Sequence, residues 1–270
     1  MIPEHRLTRW RASGRTSYPA VALLALLTAL YLAPSAMAGK PTGEYAQFTH
    51  CPLEVTGVNE CVYGEVPSGE IVLNKVKIPI AHTIVLQGGL VVTEKEEAFV
   101  NATEGATLSK TAEEVPGGFG SSPLTATLEL VGSVALSRTK LAAGEGTALK
   151  LPVRAHLKNM FLGEACFIGT SAKPITLNLT TGTTSPPEPN KPIKGSPGTF
   201  ESREAGKLLI YKSDSLVDNA FSAPGAEGCG TLANPLINEK FGLPAAAGRN
   251  TVIFNGTTKF ANAQAVRESE

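Results

Sequence analysis

The chain has few of the side chains from which most enzyme sites are built. Its 270 residues hold one tryptophan, four histidines, four cysteines and only two aspartates, Asp214 and Asp218. No Gly-x-Ser-x-Gly turn occurs, which excludes the nucleophile elbow of the α/β-hydrolases. Neither Cys-x-x-Cys nor His-x-x-x-His is present, so the common zinc spacings are missing and no metal or cofactor is implied. Calcium loops draw on clustered aspartates. Here Asp214 and Asp218 stand four apart, and on a strand they would form an ordinary solvent-facing pair. Beyond position 38 there is no tryptophan, and only Tyr45, Tyr63 and Tyr211 remain as tyrosines. Sugar recognition on aromatic platforms is therefore disfavoured, while recognition by hydrogen bonds stays open.

Residues 1–38 carry the three parts of a secretory leader. Arg6, Arg9, Arg11 and Arg15 make a basic start, an apolar run spans Ala20 to Ala33, and Ala36-Met37-Ala38 offers small residues before Gly39. Cleavage there is expected to leave a secreted product, extracellular or associated with the cell envelope, with no membrane span. A spanning helix needs about 20 predominantly apolar residues, and no later segment meets that need. The leader removes four arginines and one glutamate, leaving 20 basic and 23 acidic residues. A mildly acidic product without a basic patch excludes nucleic acid as a partner, because phosphates must be neutralised by lysine and arginine.

All four cysteines, Cys51, Cys61, Cys166 and Cys229, fall in the exported part. An even count in an oxidising compartment indicates disulfides. Of the three possible connectivities, Cys51–Cys61 with Cys166–Cys229 is expected, since the first pair flanks a short turn-rich segment.

Hydrophobicity alternates with period two along several stretches, as half-buried strands require. Leu149, Leu151, Val153, Ala155 and Leu157 share one face against Lys150, Arg154 and His156. Ile175, Leu177 and Leu179 alternate with Thr176, Asn178 and Thr180, and Thr125 to Leu136 shows the same rhythm. Shorter strands are expected at Ile71–Leu73, Val76–Ile80, Ile84–Gln87, Leu208–Lys212 and Thr251–Phe254. Asn74-Lys75 is read as a turn and Gly88-Gly89 as the end of a strand. The fold class is all-β, with antiparallel sheets in a sandwich-like or barrel-like arrangement. One short helix is expected near residues 235–241, with Asn234 as N-cap, Pro235 in the first position and Gly242 as the left-handed stop. Residues 39–270 are taken as a single β domain with long loops at about 93–120 and 182–205. The second loop is rich in Pro, Gly, Ser and Thr, but a Cys166–Cys229 bridge would tie its two flanks together.

Three histidines remain after position 38. His50 adjoins Cys51, His82 falls in a bend, and His156 lies on the polar face of a strand beside Lys150 and Arg154. Each is read as an ordinary surface or loop residue, so no catalytic residue is assigned. Glutamates are plentiful enough to supply the carboxylate pair of a glycosidase.

The segments Thr49-His50-Cys51-Pro52-Leu53, Gly57-Val58-Asn59-Glu60-Cys61, Leu216 through Gly230, and Gly248-Arg249-Asn250-Thr251 with Phe254-Asn255-Gly256-Thr257 resemble uncharacterised secreted proteins of actinobacteria. The resemblance covers much of the chain beyond the leader. It implies export and paired cysteines, and it implies no catalytic residue. The resulting expectation is a non-enzymatic binding or structural protein of the cell envelope or extracellular space, with an unidentified ligand. An extracellular polymer hydrolase acting through glutamate pairs and a small-molecule or lipid carrier with an inter-sheet cavity are the alternatives.

Overall fold

The structure is a computed structural model that describes residues 39–270; the expected leader at 1–38 lies outside the described residues. Four strands come first: β1 (Glu60–Leu73), β2 (Val76–Ile80), β3 (Ile84–Val92) and β4 (Glu97–Asn101). Six follow: β5 (Ala112–Glu114), β6 (Thr125–Leu130), β7 (Ala135–Leu136), β8 (Leu149–Lys158), β9 (Phe167–Ile168) and β10 (Ile175–Leu179). The last four are β11 (Thr199–Arg203), β12 (Leu208–Asp218), β13 (Ala226–Glu227) and β14 (Asn250–Asn262). The first sheet runs β11-β12-β14-β1-β3-β4 with β2 also on β1, and the second runs β13-β9-β8-β6-β5 with β7 and β10 also on β8. The strand pairs are antiparallel throughout.

The sheets pack face to face because each presents an apolar row to the other. On β8, Leu149, Leu151, Val153, Ala155 and Leu157 are all buried, as their alternation requires. They meet Ile78, Ile84, Leu86 and Phe254 of the first sheet in one hydrophobic core. Burying a side chain of this size contributes about 1.5–3 kcal/mol. A smaller core lies on the outer face of the first sheet, where Phe48, Leu208, Ile210, Ala261 and Val266 surround the Cys51–Cys61 bridge. The second bridge, Cys166–Cys229, also forms as expected.

Two β-bulges explain how the first sheet serves both cores. In β1 the register shifts between Glu65 and Ser68, and in β12 between Lys212 and Asp214. Both shifts lie opposite residues 255–257 of β14, so one short stretch of that strand has an irregular neighbour on each side. An extra residue exchanges the faces of a strand. Before the bulge of β12, Leu208 and Ile210 point to the outer core; after it, Asp214 and Leu216 point between the sheets. Ser213, at the bulge, takes a φ of 56°. Gly256 is needed for space: a Cβ there would lie 1.9 Å from the Glu65 carbonyl oxygen.

Several expectations need correction. Gly88 and Gly89 do not end a strand but sit inside β3. A Cβ on Gly88 would strike the Phe99 ring at 2.6 Å, and one on Gly89 would meet Val58 at 2.8 Å, so these glycines admit neighbours rather than turn the chain. The region 93–120 contains β4 and β5, and the region 182–205 contains β11, so neither is a continuous loop. The Pro-rich part is pinned by asparagines: Asn190 Nδ2 donates to the Asn219 and Asn250 carbonyls at 2.9 and 2.8 Å, and Asn219 Nδ2 donates to the Lys191 carbonyl at 2.8 Å. Three short helices occur among the described residues instead of one: α1 (Arg138–Ala143), α2 (Ala233–Phe241) and α3 (Ala263–Glu268). Helix α2 begins ahead of Asn234, whose Oδ1 accepts the Cys229 N–H at 2.9 Å and thus secures the disulfide rather than the helix start. Pro235 still falls in the first turn, where its missing N–H costs little. Gly242 closes the helix with a φ of 68°, as expected.

Candidate binding groove

The buried carboxylates are engaged in structure. Asp214 and Asp218 do share a face, but it is the interior face and not the solvent side expected from their spacing. Asp214 is 3 % exposed and lines an apolar inter-sheet cavity, where its Oδ2 accepts the Thr258 hydroxyl at 2.5 Å. Burial pushes its pKa up to about 6, against the opposing effect of the hydrogen bonds from Thr258. Asp218 reaches across the sandwich, accepting the Asn178 N–H of β10 at 2.7 Å and the Ala220 N–H at 2.8 Å. Its carboxyl is also raised by burial, which outweighs those two backbone donors. Glu113 makes the converse link from the second sheet to the first, accepting the Ala81 and His82 N–H groups at 2.9 and 3.0 Å.

The histidines assemble no nucleophilic site. His82 Nδ1 lies 3.3 Å from Glu113, and His50 Nδ1 lies 3.9 Å from the exposed Glu104. His156 is more enclosed than a surface position implies: its ring contacts Glu129 Oε1 at 3.0 Å and the Glu164 carbonyl at 2.9 Å. Arg154 pairs with the same Glu129 carboxylate and lies 3.7 Å above the Phe167 ring. Burial alone would raise Glu129, but hydrogen bonds from Arg154 and His156 overcome it and hold the carboxyl below its ordinary range. No serine, threonine or cysteine hydrogen-bonds to these three rings among the described residues, and no free thiol remains. Nor do the described residues hold any group of three or more His, Cys, Asp or Glu side chains placed to bind a metal ion.

What the surface does offer is apolar. Among the described residues, six large hydrophobic side chains are exposed, and two of them, Phe161 and Leu236, line one groove. Phe161 is 54 % and Leu236 52 % exposed, and both line an open groove of about 650 Å³ whose polar residues are Lys75, Glu239 and Lys240. The glycine-rich turn at 117–120, carrying Phe119, also lines it. Gly118 takes a φ of 52°, and a Cβ there would come within 2.4 Å of the Ser122 carbonyl, so no larger residue suits the turn. Leu232, also exposed, is the N-cap residue of α2, four positions before Leu236.

Three separate chain segments meet here, and specific polar contacts hold them in place. Asn159 Nδ2 donates to the Pro123 carbonyl at 2.7 Å, while its Oδ1 accepts the Phe161 N–H at 2.9 Å. Lys240 Nζ donates to the Pro116 carbonyl at 3.0 Å and joins α2 to the glycine turn. Gly163 N–H donates to the Cys229 carbonyl at 3.2 Å, which links the Phe161 loop to the disulfide. The apolar groups are thus exposed on a fixed frame. Nothing in the sequence signals this site, since Phe119, Phe161 and Leu236 are far apart along the chain and unremarkable singly.

Comparison of the chain with protein-family models, curated proteins and solved structures yields no match.

Proposed function

We propose that the chain is an exported, non-enzymatic binding protein of the cell envelope or extracellular space, and that it docks an apolar segment of a partner protein in the groove between the glycine turn and α2. The exposure of Phe161 and Leu236 on one groove, with the exposed Met160 and Leu232 close to them along the chain, carries this reading. Contiguous exposed apolar surface marks interaction sites, and aromatic residues and methionine are enriched in the cores of such contacts. The two disulfides support an oxidising compartment, consistent with the leader-like first 38 residues.

The alternatives draw less support. A glycosidase needs two carboxylates facing one substrate, and Glu60, Glu129 and Glu201 are each held in an ion pair, with Arg138, Arg154 and Lys212. A lipid carrier needs a vessel, and the two inter-sheet cavities measure about 30 and 40 Å³, room for a water molecule rather than an acyl chain.

The test is retention of the labelled 39–270 protein on washed envelope of its host. Phe161→Ser combined with Leu236→Ser is expected to lower retention at least about tenfold, the scale of one or two hot-spot residues. Undiminished retention of the folded double variant contradicts the reading.

A further inference from the structure

A second surface of different chemistry lies over the paired bulges on the outer face of the first sheet. There the 3₁₀ turn Gly43–Phe48 and strands β1, β12 and β14 enclose a hollow of about 480 Å³. Its polar rim mixes charged and neutral groups, and most of the charges are paired. Arg203 pairs with Glu44 at 2.8 Å and with Glu201 at 3.0 Å, and Lys212 pairs with Glu201 at 2.7 Å. Lys259 donates to the Gln47 amide oxygen at 2.8 Å. Three cations therefore stand with Glu44, Glu201 and Glu65. Arg203 and Lys212 are thus already neutralised by carboxylates, and the remaining cation and carboxylate, Lys259 and Glu65, balance one another, so the rim carries no net charge.

What remains unused is polar and mixed. Among the described residues, the Ser213 and Thr257 hydroxyls and the Glu65 carboxylate make no hydrogen bond to protein. Hydroxyls both donate and accept, a carboxylate only accepts, and a lysine ammonium retains spare donors. The bulges fix these groups: Ser213 is presented by the left-handed residue of β12, and Glu65 by the last residue before the shift in β1. Bulges re-aim side chains at functional surfaces, and strained non-glycine conformations collect there. A concave site with fixed, alternating donors and acceptors and no net charge matches a neutral polyhydroxylated molecule.

We infer that this hollow is a binding site for a neutral oligosaccharide, held by hydrogen bonds to Ser213, Thr257, Glu65 and Lys259. The site is independent of the apolar groove and does not rest on its assignment. It also needs no aromatic platform, in keeping with a chain that has no tryptophan beyond position 38.

The experiment is amide NMR of the 39–270 protein titrated with cellohexaose, maltohexaose and chitohexaose. At least one is expected to shift the amides of Ser213, Gly256 and Thr257, with a Kd of about 1 mM or tighter. Thr257→Val combined with Lys259→Met is expected to weaken binding at least tenfold without changing the thermal midpoint, while Phe161→Ser with Leu236→Ser leaves it unchanged. The inference is overturned if none of the three sugars moves these amides. It is also overturned if the shifts survive Thr257→Val/Lys259→Met, or if sodium phosphate moves the same amides and the sugars do not.

Discussion

The groove beside the Cys166–Cys229 bridge is assembled from two loops and a helix, whereas the hollow over the bulges of the first sheet is floored by strand backbone. The groove keeps apolar groups in water, and it can do so because Asn159, Lys240 and the disulfide prevent its segments from collapsing onto one another. The hollow keeps charged groups close together, and its ion pairs neutralise them locally. Covalent and hydrogen-bonded ties make one site; irregular strand register makes the other. The two should therefore fail under different mutations.

The largest effect should come from the disulfides, and it should separate the regions. Cys166 and Cys229 are 63 residues apart, against 10 for Cys51 and Cys61. The chain-entropy argument gives about 4 kcal/mol for the longer loop and about 3 kcal/mol for the shorter. Replacing Cys166 and Cys229 by serine should lower stability by that larger amount and open the Phe161 loop to limited proteolysis. Replacing Cys51 and Cys61 should instead loosen the outer core and the hollow. Equal protease sensitivity at the Phe161 loop in both variants would break the distinction.

Gly256→Ala should act on the hollow alone. Its Cβ would meet the Glu65 carbonyl, so a bulge must shift, at a cost of roughly 3 kcal/mol, the upper end for overpacking. Chemical denaturation measures the loss, and envelope retention through the groove should survive at temperatures where the variant is folded. Unchanged stability would mean that the bulges can relax.

Asp214 makes stability depend on pH. Its carboxyl titrates near 6 when folded and near 3.8 when exposed. The folded state therefore holds the proton more tightly between those values, and stability falls as pH rises from about 4 to 6, then levels off. At about 1.4 kcal/mol per pKa unit the total loss is about 3 kcal/mol at most. Glu60 and Asp218, also raised by burial, add to the slope, whereas the lowered Glu129 opposes it. Asp214→Asn should reduce the fall of the melting temperature across pH 4–6 while leaving groove binding intact; an unaltered slope in that variant would contradict the role of Asp214.

The legible part of this molecule was its regular part. The alternation of Leu149 to Leu157 and of Ile175 to Leu179 was enough to place β8 and β10, because a half-buried strand shows its faces directly in the sequence. The cysteine pairing was also legible. Period-two reasoning failed wherever the register changed. It made Asp214 a solvent-facing residue because nothing local announces the bulge at Ser213. Gly88 and Gly89 looked like a turn, since the demand for space comes from Phe99, Val58 and Pro52, none of them adjacent. Asn234 looked like a helix cap because the competing N–H of Cys229 is delivered by the bridge. The groove and the hollow were invisible for the same reason: each is a meeting of remote segments.

The central claim is that the groove binds a partner. A crossed comparison on washed host envelope tests it most directly, using the unaltered 39–270 protein, Phe161→Ser/Leu236→Ser, Thr257→Val/Lys259→Met, and all four changes together. Retention is expected to fall at least about tenfold with the groove changes, whether or not the hollow is intact. Equal retention of the unaltered and groove-altered proteins, both folded, would contradict the claim.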